Sequence, residues 1–233
     1  DYQKTRKADH PREFLKDFRG VCVTDGYQVY HTLEEELEDL EISGCWAHSR
    51  RRYDEAVKAL PKSEQKMSLA YLALSQIQQI YHYMTPAKRR KHRQKFIKPL
   101  VDAYFNWIRI NIDKVMPKSK TYNGMTYSIN QEKYLRRFLD DGEVPINNNA
   151  AEQSIRSFCI GKKNWVICDT INGAKSSAII YSLVETAKAN KLRLYEYFNY
   201  LLTEIPEHMD DKNNDFCEEL LPWSDELPAE CRK

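Results

Sequence analysis

Two acidic residues carry the chemistry this chain could perform. Asp25 follows Val21-Cys22-Val23-Thr24, a short β-branched run, and precedes Gly26. Such a run stopping at Asp-Gly predicts a strand and then a turn, and Asp-Gly is equally a hairpin signal. A carboxylate at the C-terminal end of a core strand is also a hard oxygen donor. Magnesium takes one or two of these beside substrate phosphates. Glu152 closes Asn149-Ala150-Ala151-Glu152, the spacing of a helix capping box, with Arg156 one turn further on for an ion pair. Yet Asn147, Asn148 and Asn149 are more asparagines than a cap requires, and Arg156, Lys162, Lys163 and Asn164 follow within one short stretch. Amide and cationic side chains suit phosphate and sugar oxygens. On the residues alone, Glu152 reads as cap or as ligand.

A third cluster is Cys45-Trp46-Ala47-His48, leading into Arg50-Arg51-Arg52. Structural zinc needs four ligands, and His82, His92 and His208 lie at no ligand spacing from this pair. A packed Cys45 and a hydrogen-bonded His48 are therefore expected, with the arginines on a solvated helix face. The six cysteines form no C-x-x-C pair, which points to reduced thiols and a cytoplasmic setting. Seven glycines in 233 residues, with no G-x-G-x-x-G or Walker A pattern, argue against a phosphate-cradling glycine loop. No apolar run approaches the ~20 residues of a membrane helix, and no signal peptide is expected at the start.

The net charge of +2 hides an uneven spread. Eleven basic residues lie between Lys88 and Lys120, opening with Lys88, Arg89, Arg90 and Lys91, against only Asp102 and Asp113. Between Glu204 and Glu230 ten acids face Lys212. The first segment suits a polyanion and the second does not.

These residues need elements to position them. His31 to Leu40 predicts a short helix with a solvated acidic face, and Ile42 to Trp46 a second strand. Ala70, Ala73, Leu74, Ile77, Ile80, Tyr81 and Met84 form one helical stripe, and Ile97, Leu100, Val101, Tyr104, Phe105, Ile108 and Ile112 another. Pro86 suits a helix start between them, and Pro99 a kink or restart. Asp141-Gly142 ends the helical block. A helix is expected from about Ala150, a short strand over Trp165-Val166-Ile167-Cys168, and helices over 178–190 and 195–202. An acidic tail with an apolar clasp at Leu220-Leu221-Pro222-Trp223 follows.

Several blocks together resemble insertion sequence 66 family transposases. They are Thr24-Asp25-Gly26-Tyr27-Gln28-Val29-Tyr30, Gly44-Cys45-Trp46-Ala47-His48-Ser49-Arg50-Arg51, Asn148-Asn149-Ala150-Ala151-Glu152, Ile160-Gly161-Lys162-Lys163-Asn164-Trp165, the run from Tyr181 to Asn190, and Leu220-Leu221-Pro222-Trp223. The resemblance implies an α/β fold: a partial ribonuclease-H-like core carrying an Asp-Asp-Glu triad, with a large all-α insertion that makes the chain mostly helical. The organisation expected is partial core over 1–47, helical insertion over 48–141, remaining core over 142–205 and tail over 206–233.

Asp25 falls on the second Asp of that triad and Glu152 on the Glu. Both would be catalytic and metal-binding, with Mg2+ as the ion and Mn2+ as its substitute. The implied reaction is metal-dependent phosphodiester cleavage and strand transfer, with transposon ends and target DNA as partners and several copies assembled on DNA. Arg50, Arg51, Asn148, Asn149, Arg156, Lys162 and Lys163 join Lys88 to Lys91 as DNA-binding residues. The sequence departs from the family pattern at Asn147, Gln153 and Ser157. For the first Asp of the triad only Asp1, Asp9 and Asp17 precede Asp25, none on a strand. The expectation is a chain cropped at its N-terminus and inactive alone. The alternative is a non-catalytic remnant that binds DNA or a transposase subunit.

Overall fold

The β-branched run before Asp25 does form a strand. The computed structural model describes residues 2–82, 90–211 and 213–233, without the side chains of Lys162, Asn164 and Trp165. A short α1 (Asp9–Leu15) leads to β1 (Gly20–Thr24), α2 (Gln28–Glu36) crosses over, and β2 (Leu40–Gly44) pairs with β1 in parallel from Gly20↔Leu40 to Thr24↔Gly44. Parallel strands need such a crossover, so Asp25-Gly26 opens the connection to α2 and does not close a hairpin. Cys22 packs with Leu15, Leu33, Leu40 and Ile42, whereas Val21 and Val23 pack on the main helical core. The alternation along β1 thus serves two apolar layers.

The helix expected over 31–40 lies earlier, at Gln28–Glu36. Leu37 turns extended, and its N–H closes on Leu33 O at 2.9 Å. Its acidic face is also not wholly solvated. The Glu34 side chain is only 9% exposed and accepts from Ile42 N at 2.8 Å, Lys133 Nζ at 2.6 Å and Arg137 at 3.0 Å. The second strand is likewise shifted, since Trp46 belongs to the next helix, where it is buried and donates Nε1–H to Leu135 O at 2.8 Å.

The helical block runs through α3 (Trp46–Lys58), α4 (Lys62–Gln65), α5 (Leu69–His82), α6 (Arg90–His92), a π-helical turn at Arg93–Ile97, α7 (Lys98–Asn111), α8 (Lys120–Asn130) and α9 (Glu132–Arg136). Pro99 sits in the first turn of α7, where its missing N–H costs nothing. Met84 and Pro86 lie outside the described residues. Ala70, Ala73, Ile77 and Ile80 of α5 meet Val101, Tyr104, Phe105 and Ile108 of α7 and Trp46 and Tyr53 of α3 in one large core. Ser128 Oγ of α8 lies 2.9 Å from both Ser49 Oγ and Tyr104 OH, and Tyr104 OH donates to Tyr53 OH at 3.2 Å. Buried hydroxyls that satisfy one another fix the register of three helices without leaving a desolvated donor.

Residues Thr5–Ala151 form one compact unit, and Glu152–Lys233, with the few residues before Thr5, form the other. The latter holds most of α10 (Asn149–Trp165), then α11 (Ile171–Ala189) and α12 (Leu194–Glu207). Its core gathers Ala187, Leu192, Tyr197, Leu201, Leu220, Leu227 and Cys231. Tyr197 OH donates to Leu220 O at 2.8 Å, and Arg193 N to Cys231 O at 2.8 Å, which draws the acidic segment onto α12. No strand forms over 165–168. Helix α10 continues to Trp165, and Val166 then takes a left-handed φ of +61°. Among the described residues the β-branched run finds no strand to pair with, and a strand without a ladder is not stable alone. Among the described residues, no helix is long and apolar enough to cross a membrane. The architecture is mostly helical with a two-stranded parallel sheet.

Candidate functional site

Asp25 sits one residue beyond β1, its side chain exposed. Its Oδ1 accepts from Tyr27 N at 3.1 Å, which shapes the turn, and its carbonyl accepts from Tyr127 OH of α8 at 2.8 Å. Gly26 is required twice over. Its φ is +83°, and a Cβ there would lie 2.9 Å from Gln131 Oε1 and 3.0 Å from Tyr127 OH. The Asp25 turn is therefore clamped against α8 through its backbone, while its second carboxylate oxygen accepts no hydrogen bond among the described residues. Tyr127 is itself covered by the Arg52 guanidinium, 4.1 Å from the ring centroid. Burial pushes its hydroxyl up to about 12, against the pull of Arg52, so it stays a neutral donor.

The chain leaves β2 through Gly44, where a Cβ would come within 3.1 Å of Leu135 N, so the strand end and α9 touch backbone to backbone. Cys45 is buried as expected and serves the loop ahead of Glu152. Its Sγ accepts from Asn148 N at 3.5 Å, while Trp46 N donates to Ile146 O at 3.1 Å. Asn147 Oδ1 accepts from Asn149 N at 3.1 Å, which leads the chain into α10. Of the three arginines that follow, Arg50 and Arg51 lie exposed on α3, and Arg52 is the one that stacks on Tyr127.

Glu152 stands exposed in the first turn of α10, where the helix dipole favours a carboxylate, with Arg156 and Lys163 exposed further along. The side chain of Lys162 lies outside the described residues, as do Lys88 and Arg89. Arg90 and Lys91 open α6 and are exposed. The basic segment is less available than its count. Arg93 is 7% exposed and donates through Nη1 to the carbonyls of Phe138 at 2.6 Å, Val144 at 2.8 Å and Asp141. Lys98 pairs with Asp102 at 2.9 Å, and Arg109 with Glu132. Asp102 also holds Arg136 at 2.5 Å.

The structure thus gathers Asp25, Cys45, Arg50, Arg51, Asn148 and Asn149 in the unit Thr5–Ala151, and Glu152, Arg156 and Lys163 in the unit that follows. Among the described residues, no three His, Cys, Asp or Glu side chains cluster to hold a metal by themselves. Sequence reasoning missed Tyr127, Gln131 and Arg93. The first two contact the Asp25 turn from about a hundred residues away, and no local signal marks them. Arg93 looks in the sequence like one more surface charge.

Residues 1–176 match the Transposase IS66 family, and residues 182–223 match the IS66 C-terminal element. Among curated proteins, the chain is 27% identical over 230 residues to Uncharacterized protein y4qI of Sinorhizobium fredii, covering 96% of this chain and 42% of that protein. It is 24% identical over 234 residues to Uncharacterized protein y4hP of the same organism, covering 94% and 42%. The chain therefore spans about two-fifths of the length of these relatives. No solved structure matches it. The matched blocks include the Asp25 turn, the Cys45–Arg51 segment and the entry to α10, and together the matches cover nearly the whole chain: it belongs to the IS66 family of transposases.

Proposed function

We propose that these residues supply two of the three carboxylates of an Asp-Asp-Glu transposase, Asp25 and Glu152, within a ribonuclease-H-like core interrupted by the helical segment between them. The observation that carries this reading is Asp25 itself. It is an exposed carboxylate just past the C-terminal end of a strand in a parallel β-α-β unit, inside the segment that matches the transposase family.

The donors fit magnesium. Both are hard oxygens, and the ion takes one or two carboxylates with water and phosphate completing its shell. When bound, a pair of such ions activates the attacking oxygen and steadies the leaving oxygen of a phosphodiester. The protein's own share is positional. Tyr27 N and Tyr127 OH hold the Asp25 turn at fixed orientation, and Gly26 lets the backbone approach α8. Arg50, Arg51, Asn148, Asn149, Arg156, Lys162 and Lys163 hold the DNA backbone, a positioning role that carries no sequence information.

The test is transposition of the cognate insertion sequence by this chain joined to an upstream segment that supplies the first strand and its Asp, with Asp25→Asn or Glu152→Gln introduced. Even outer-shell partners of metal ligands cost about 10–100-fold when changed, so each ligand substitution should cost about 100-fold or more with the fold intact. A helix cap, by contrast, tolerates Gln at 152 with a loss of about 1 kcal/mol or less. Wild-type transposition by either variant overturns the assignment of that residue. Binding without any cutting, in every variant and in the parent, favours the non-catalytic reading.

A further inference from the structure

On the unit Thr5–Ala151 two grooves share Arg50 and Gln78. The first, about 440 Å3, is polar, lined by Arg50 and Arg51 of α3, Gln78 and Tyr81 of α5, and Asn149. The second, about 590 Å3, has Tyr71, Leu74 and Leu100 in its wall, together with Gln79 and His82. Both volumes fall in the roughly 300–1,000 Å3 range of small-ligand sites.

The arrangement follows from α5. Ala70, Ala73, Ile77 and Ile80 bury one side of the helix, while Tyr71, Leu74, Gln78 and His82, three and four residues apart, form a stripe on the other. The Arg50 guanidinium makes no ion pair among the described residues. Asp54, the one carboxylate in the polar wall, is neutralised by Lys58 at 2.6 Å.

We propose that this double groove takes an unpaired deoxynucleotide of a DNA strand, with the phosphate on Arg50 and Arg51, the base against Tyr71, Leu74 and Leu100, and Gln78 on the base edge. The proposal rests on the DNA-processing reading above and deepens it, adding Tyr71, Leu74, Gln78 and Leu100 to the arginines already placed on the DNA backbone. Arginine forks match phosphate oxygens in two parallel bonds. An aromatic ring beside aliphatic carbon is a stacking platform for any base. A carboxamide both donates and accepts, as does the exposed edge of a base lifted from its stack. An acidic peptide would use the arginines and leave the apolar wall and the amide idle.

The experiment measures fluorescence anisotropy of the chain with two labelled probes of equal length, a blunt duplex and a duplex ending in one unpaired nucleotide. The parent should prefer the unpaired end about tenfold, and Tyr71→Ala and Gln78→Ala should each abolish most of that preference. Tyr71 is 37% exposed and Gln78 is also exposed, so neither change opens the core, and unaltered melting confirms it. Equal affinity for the two probes in the parent, or a preference that survives both variants, overturns the proposal. So does a glutamate-rich peptide that displaces the unpaired probe as well as an unlabelled oligonucleotide does. Transposition by Asp25→Asn reads the catalytic assignment separately, so either idea can fail while the other stands.

Discussion

The two units of this chain use apolar residues differently. In Thr5–Ala151 the helical stripes end up inside, and Ile77, Ile80, Val101, Tyr104, Phe105 and Ile108 are all fully buried in one cluster. In Glu152–Lys233 the longest helices carry aliphatic side chains outside. Ile155 is 59% exposed, Ile160 52%, Ile179 62% and Ile180 50%. Adjacent isoleucines such as Ile179 and Ile180 point about 100° apart on a helix, so one narrow core cannot take both. The first unit resembles a self-contained helical domain with a small sheet attached. The second is held by the cluster around Tyr197 and by contacts such as the Phe158–Tyr181 ring pair at 5.3 Å between α10 and α11. In the first unit the apolar stripes close into one large core, while in the second only α12 and the end of α11 do so and the isoleucines of α10 and α11 stay at the surface.

Substitutions can break that contrast or sharpen it, with hydrogen exchange reading each unit separately. The largest effect is expected at Phe105, buried against Trp46 and Tyr104, where Phe105→Ala should cost about 3–5 kcal/mol in the first unit. A loss below 1 kcal/mol there would mean the core is looser than its packing suggests. Glu34→Ala comes next. It removes the carboxylate that accepts from Lys133, Arg137 and Ile42 N, while Arg137 keeps Glu41 and Lys133 stays in water, so it should cost about 1–2 kcal/mol.

The same corner makes the first unit acid-sensitive. Burial pushes the Glu34 carboxyl up, but its bonds to Lys133 and Ile42 N and the nearby Arg137 outweigh that and hold it below its ordinary 4.5. Burial holds His31, stacked 3.9 Å from Tyr134, below its ordinary 6.5 despite the pull of Glu34. Both groups bind protons more readily in the unfolded chain, so stability is full above about 6.5 and falls with pH, through His31 first and Glu34 after. Urea midpoints that rise on acidification from pH 7 to pH 4 would contradict this.

Smaller effects belong to the second unit. A β-branched residue in the left-handed region is strained, so Val166→Gly should raise stability by about 1 kcal/mol, where a similar change inside a helix would lower it. Ile179→Ala should change stability by less than about 0.5 kcal/mol, the ordinary range for an exposed site. A cost near that of Phe105→Ala would erase the contrast between the units.

Much of this was readable from residue order. The β-branched run at 21–24, the stripe through Ala70, Ala73, Ile77 and Ile80, and a helix opening just before Glu152 all follow from local periodicity and turn chemistry. Tertiary structure alone decided that β1 pairs in parallel with β2, that Glu34 leaves the solvated face for Lys133 and Arg137, and that Arg93 buries its charge on carbonyls of Phe138, Asp141 and Val144. It likewise closed α8 over the Asp25 turn and withheld a partner strand from Val166 and Ile167. Periodicity reports which side of one segment is apolar, a property of neighbours three or four residues apart. Whether a charge is desolvated or a strand is paired depends on groups fifty to a hundred residues away, brought close only when the chain folds.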